Sequence, residues 1–281
     1  MHSLKHLSVL CACLLMAMPR LVAQDKFGLW GELGFQKSLD KHFSLESSIG
    51  LRTDDNLHSV SRIDLGTGLS YKPIKGLKLG VGYVFLLNNN LREVDLATNS
   101  SGNWNGINVD HQFWRRKHRI YVQAQGKLTL GRFGLSLRER YQMTAYADAN
   151  YVRDRYRGIV TESYTGEKMY AEQNGEGRWY AYDETVTRNK ASKTRHYLRS
   201  KATIEYNIRH CPLTPYASFE ISNNLANGFA SDKRRYTAGA EWRLTKDKKH
   251  YIDFGYCYTS GDDDDDEGNL HAIFANYTFK F

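Results

Sequence analysis

The chain closes on GDDDDDEGNLHAIFANYTFKF, Gly261–Phe281, and the second half of that stretch decides the fold. From Ile273 onward the residues alternate. Ile273, Ala275, Tyr277, Phe279 and Phe281 fall on one side, with Phe274, Asn276, Thr278 and Lys280 on the other. A period of two marks an extended strand with one apolar and one polar face. A closing strand of this kind resembles the C-terminal assembly signal of β-barrel proteins, carried here by Tyr277, Phe279 and Phe281. The acidic run Asp262–Glu267 then falls at the tip of the last hairpin. A calcium loop needs spaced ligands and a glycine at its sixth position, where Glu267 stands, so a solvated loop is expected and no metal.

The same alternation recurs upstream. Phe43, Leu45, Ile49 and Leu51 oppose Glu46 and Arg52, and Ile63, Leu65, Leu69 and Tyr71 oppose Arg62 and Asp64. Leu77 to Leu87 and Ile120 to Leu130 follow the rule, as do the segments around Ile204, Phe219, Trp242 and Phe254. Each runs about 10–15 residues, against ~5–6 in soluble strands and close to the tilted length that crosses a bilayer. Nineteen Tyr, 12 Phe and 23 Gly beside only 4 Pro suit an all-β chain. In a soluble sandwich two apolar faces would pack together. In a transmembrane antiparallel up-and-down barrel the apolar face meets lipid and the charged face fills the lumen.

Connection lengths favour the barrel. Short links (73–76, 131–132, 210–214, 245–249) alternate with longer ones (88–117, 145–192, 223–233, 261–268), as short periplasmic turns alternate with outer loops. Eleven segments are legible, counting Phe27–Lys37, although single-chain bacterial barrels use even numbers. About 10–12 strands are expected, twelve preferred. Placing the Ser38–Lys41 turn on the periplasmic side would make the first strand start outside, so either it is not a full crossing or a strand lies hidden in a loop. Glu139 falls on the apolar side of Phe133–Met143, and a β-bulge that re-aims it inward is expected.

Residues 1–23 have the layout of a secretory signal: Lys5, an apolar run Leu7–Met18, then Leu21-Val22-Ala23 before the cut. The barrel domain would occupy 24–281, in the outer membrane of a Gram-negative cell. The formal charge of +8 includes Lys5 and Arg20, which leave with the signal. Cys211 and Cys257 then remain, at opposite ends of the barrel wall, too far apart to bridge; two free thiols are expected.

Three segments together, FGLSLRERYQ (Phe133–Gln142), PYASFEISNN (Pro215–Asn224) and RYTAGAEWRL (Arg235–Leu244), resemble an uncharacterised bacterial outer-membrane β-barrel family, domain of unknown function family 2490. The resemblance implies an outer-membrane barrel and supplies no activity.

The inward positions form the best-defined constellation: Glu46, Arg52, Arg62, Asp64, Arg138, Arg140, Arg199, Lys201, Glu205, Glu220, Arg235, Glu241, Arg243 and Asp253. Arginine forks pair well with carboxylates, so a charge-packed lumen is expected, with a narrow selective pore as the other reading. In the 145–192 loop, Tyr151, Tyr156, Trp179 and Tyr180 interleave with arginines and could bind sugars or proteins at the surface, or pack locally as a hairpin continuing the strands. The compartment argues against nucleic acid. An outer-membrane hydrolase with a rim active site is the alternative function, its bases His111, His118, His196 or His271. No nucleophile–base spacing supports it, so no catalytic residue is assigned and no cofactor is required. The expected partners are outer-membrane lipid and, through the last strand, the barrel-assembly machinery; oligomeric state is left open.

Overall fold

The period-two segments become strands in the structure, a computed structural model that describes residues 26–54, 57–173, 176–261 and 269–281. The signal, its cleavage point and the Asp262–Glu267 run lie outside the described residues. In chain order the strands are β1 (Lys26–Ser38), β2 (Phe43–Asp54), β3 (Ser59–Ile74), β4 (Leu77–Asn90), β5 (Glu93–Thr98), β6 (Trp104–Asp110), β7 (Phe113–Leu130) and β8 (Phe133–Tyr146). They continue as β9 (Ala149–Ile159), β10 (Lys168–Gln173), β11 (Glu176–Lys190), β12 (Lys193–Tyr206), β13 (Leu213–Asn224), β14 (Ala230–Arg243), β15 (His250–Ser260) and β16 (Leu270–Lys280). No helix occurs among the described residues.

Eleven strands close a barrel in the order β1-β16-β15-β14-β13-β12-β8-β7-β4-β3-β2. The count falls within the expected range of about 10–12 and is odd. An up-and-down barrel with an odd number of strands must close on two that run the same way. Here β1 and β16 are parallel, in register from Lys26↔Leu270 to Gln36↔Lys280. The first segment is therefore a full strand, and among the described residues no further barrel strand lies in a loop. The last residues secure the seam: Phe281 N–H donates to Gln36 O at 2.9 Å, and Ser38 N–H to Phe281 O at 3.1 Å. The other junctions among the described barrel strands are antiparallel.

The barrel has two unlike ends. At one, short turns join the strands; Gly131, at φ 59°, supplies the left-handed residue of the tight β7–β8 hairpin. At the other, the 88–117 and 145–192 connections carry β5, β6, β9, β10 and β11. These form one five-stranded sheet, β10-β11-β9-β6-β5, so the two long loops are a single ordered unit. Only short breaks separate β8 from β9 and β11 from β12, and the barrel wall runs on into this outer sheet.

The wall is apolar outside. Leu33, Ile49, Leu65, Val81, Ile120, Leu137 and Ile204 are all exposed on the outer face. Aromatic pairs sit at both rims: Phe43–Tyr71 (4.7 Å) and Phe133–Tyr206 (5.0 Å) at the turn end, Tyr258–His271 (4.7 Å) at the loop end. Glu139 stays on this face. Both neighbours of β8 keep an unbroken register across it, so the expected bulge is absent. Ser200, beside it on β12, instead donates a hydrogen bond to the carboxylate at 2.6 Å, which partners the group where it stands.

Cys211 and Cys257 are both free, as expected. Cys257 is buried inside the wall while Cys211 lies in a turn. A maleimide reagent is expected to label Cys211 alone in the folded protein and both after denaturation; rapid labelling of Cys257 in the folded state would contradict this burial.

Candidate functional site

A cavity of about 670 Å³ occupies the barrel interior, running from Lys280 and Glu46 near the turn end to Arg119 and Lys233 towards the loop end. The inward residues expected from the sequence line it, except Glu205, Glu241 and Arg243. Glu205 lies by the turn-end mouth, bonded to Lys127 at 2.5 Å, and Arg243 N–H donates to Pro212 O in that turn region. The lining also includes Trp30, Glu32, Lys78, Arg119, Tyr121, Lys233 and Lys280, which sequence reading did not single out. Strict alternation from Arg115 to Lys127 along β7 marks Arg119 and Tyr121 as inward, and that signal was available.

The charges are organised around Glu220. Arg138 donates to it at 2.6 Å, Arg199 forms a shorter ion pair, and Arg235 lies at 3.6 Å. Glu220 projects from β13, and the three arginines from β8, β12 and β14. One carboxylate thus ties four neighbouring strands together along one wall of the lumen. Elsewhere Arg62 pairs with Asp64 (3.2 Å), Lys78 and Ser70 both donate to Glu46 (2.5 and 2.7 Å), and Tyr216 donates to Asp253 (2.9 Å). Arg52 lies over the Trp30 ring at 4.2 Å.

The two ends differ in openness. At the turn end Lys127 is 44% exposed and Glu46 35%, whereas Arg62 and Glu220 deeper in are 7% and 6%. Towards the loop end the side chains close ranks. Arg115, Lys117 and Lys193 surround the buried Tyr146 ring at 4.5–5.2 Å. Arg115 also donates to Ala147 O and Ala191 O, at 2.8 and 2.6 Å, where the chain leaves the wall after β8 and re-enters it from β11 into β12. On the part of the wall that holds the seam, Trp30, Cys257, Leu270, Ala272 and Phe274 form an apolar cluster. The lumen narrows to a packed end.

The rim histidines do not converge. His118 bonds Tyr83 (2.7 Å), His196 bonds Tyr141 (2.8 Å), and His271 bonds Tyr256, each pair on a different strand junction. His111 pairs with Asp154 in the outer sheet at 2.6 Å. These contacts build an aromatic girdle and supply no nucleophile–base pair, so the rim hydrolase gains no support.

The outer sheet divides the four expected surface aromatics. Tyr156 and Tyr180 are 3% and 1% exposed and form its core with Ile107 and Val109. Of the two readings, surface contact and local packing, these two residues follow the packing one, because alternation along β9 and β11 turns them to the packed face. The Tyr156 hydroxyl donates to Glu167 at 2.5 Å. Burial first, and then that carboxylate, pushes the phenol up to about 12. Tyr151 stacks on Phe113 at 5.0 Å. Trp179 remains exposed, tilted against Tyr170 at 5.3 Å with Lys168 over its ring at 5.2 Å. Glu93, Asp95 and Asp110 cluster in this sheet. Arg153 forks onto Asp110 and supplies positive charge there.

Fold and site together define a closed β-barrel with a charge-lined interior and an appended outer sheet. The model of a protein family of unknown function, DUF2490, matches residues 27–269, and the chain belongs to that family. No curated protein matches it.

Proposed function

We propose that the protein is an outer-membrane β-barrel of a Gram-negative bacterium, a structural and surface-presenting element whose lumen is closed at the loop end. The observation that carries this is the inversion of the wall: large apolar side chains outside, salt-bridged arginines and carboxylates within. Water would dictate the reverse. Hydrocarbon requires it, because it tolerates neither unpaired strand edges nor free charge. The aromatic rims fit the interfacial girdles of such barrels, and Glu139 is partnered by Ser200 within the apolar band. Tyr277, Phe279 and Phe281 would serve the assembly machinery from the turn end, on the periplasmic side. The outer sheet would then face outward with Trp179, Tyr170 and Tyr151 as contact residues for a sugar or protein.

The test is insertion and conductance. The full chain should fold into lipid vesicles, float with them, and migrate faster on gels before boiling than after. In planar bilayers it should give no large steady channel. A soluble fraction that refuses lipid would defeat the membrane assignment, and sustained single-channel currents would defeat the closed lumen.

A further inference from the structure

We infer that the barrel lumen is a binding site for a small, multiply charged oxyanion entering from the turn end. This rests on reading the loop end as closed, and it does not require that the barrel lie in a membrane. The cavity lining carries eleven basic side chains against five carboxylates. The excess is concentrated rather than spread. Arg138, Arg199 and Arg235 share the one carboxylate of Glu220. One step along β8, Arg140 has only neutral hydrogen-bond and ring partners: it donates to the Gln123 side-chain oxygen at 2.9 and 2.5 Å and lies over the Tyr121 ring at 4.2 Å. Lys201 stands opposite Glu220 and Arg138 in register and lines the same space, without a hydrogen bond or ion pair to any described residue. The Nε donors of Arg138 and Arg199 are buried and likewise unmatched.

Like charges crowded where little water reaches repel one another, and an anion among them relieves that repulsion and offers acceptors. Guanidinium forks match the oxygen spacing of phosphates and carboxylates, which selects an oxyanion over chloride. A volume of about 670 Å³ admits a solute the size of pyrophosphate or citrate and leaves no room for a polymer. Entry from the turn end follows from the exposure of Lys127 and Glu46 there and from the packed collar around Tyr146.

The experiment is calorimetric titration of the full chain, folded in detergent micelles at low salt, with pyrophosphate and separately with citrate. Saturable binding of at least one, weakened by added salt, is expected. Arg140→Gln and Lys201→Gln should each weaken it about tenfold, while Lys168→Gln in the outer sheet should leave it unchanged. Folding of each variant is read from its gel mobility before boiling. If the lumen variants do not fold, the wild type decides: the bound anion should raise its unfolding temperature, and a diamine of similar size should not. Failure of both anions to bind, binding indifferent to both lumen substitutions, or loss on Lys168→Gln would each overturn the proposal. Vesicle insertion is a separate measurement, so a failure there leaves this result standing.

Discussion

Glu220→Ala is expected to destabilise the barrel by about 3–5 kcal/mol, the range seen when one partner of a buried charge pair is removed. Three guanidinium groups converge on that carboxylate, which is 6% exposed. Without it Arg138, Arg199 and Arg235, on neighbouring strands, lose the carboxylate they share. The loss should appear as a lower temperature for conversion from the fast-migrating folded form to the slow unfolded one. Adding Arg138→Met and Arg199→Met to the alanine variant should restore part of the stability, because the stranded charges go as well. A Glu220→Ala barrel as heat-resistant as the wild type would show that the network contributes little.

The second large effect is expected at Tyr180, and it should be local. Tyr180→Ala empties the middle of the outer-sheet core, where the ring packs with Ile107, Val109 and Tyr156. A buried aromatic replaced by alanine costs about 3–5 kcal/mol, a large fraction for a sheet this small. Limited proteolysis should then cut within 145–192, while the barrel keeps its folded mobility on gels. Trp179→Ala, one residue away on the opposite face, should leave proteolysis unchanged and weaken any surface ligand. If the two substitutions acted alike, the division of that sheet into core and contact faces would be wrong.

Much of the barrel was legible because lipid and lumen impose opposite demands on alternate residues. The Ile273–Phe281 stretch shows both faces, and the inward charges from Glu46 to Asp253 follow the same rule. The outer sheet was not legible. β5 and β10 are short, and β6 pairs with β9 from a different loop, so no local pattern announces the partnership. The eleven period-two segments are the eleven barrel strands, and only parity argued for twelve. Parity was drawn from how barrels usually close, whereas direction at the closing seam is a property of the whole chain. Glu139 misled because a carboxylate on an apolar face suggests a kink, and its remedy, Ser200, lies far away in sequence. For Tyr156 and Tyr180 composition leaves contact surface and local packing both open; only their phase along β9 and β11 separates core from contact.

The parallel junction between β1 and β16 has a consequence for how the molecule is made and how it fails. Its partners are the two extremes of the folded chain, Lys26 beside Leu270, so the wall stays an open sheet with two bare edges until the last strand is in place. Closing the longest loop carries the largest entropic cost of any pairing in the molecule. Parallel pairing is also slightly weaker per residue than antiparallel. The line joining the two ends is therefore both the final stitch to form and the first to part, and a sideways opening of this barrel would start there.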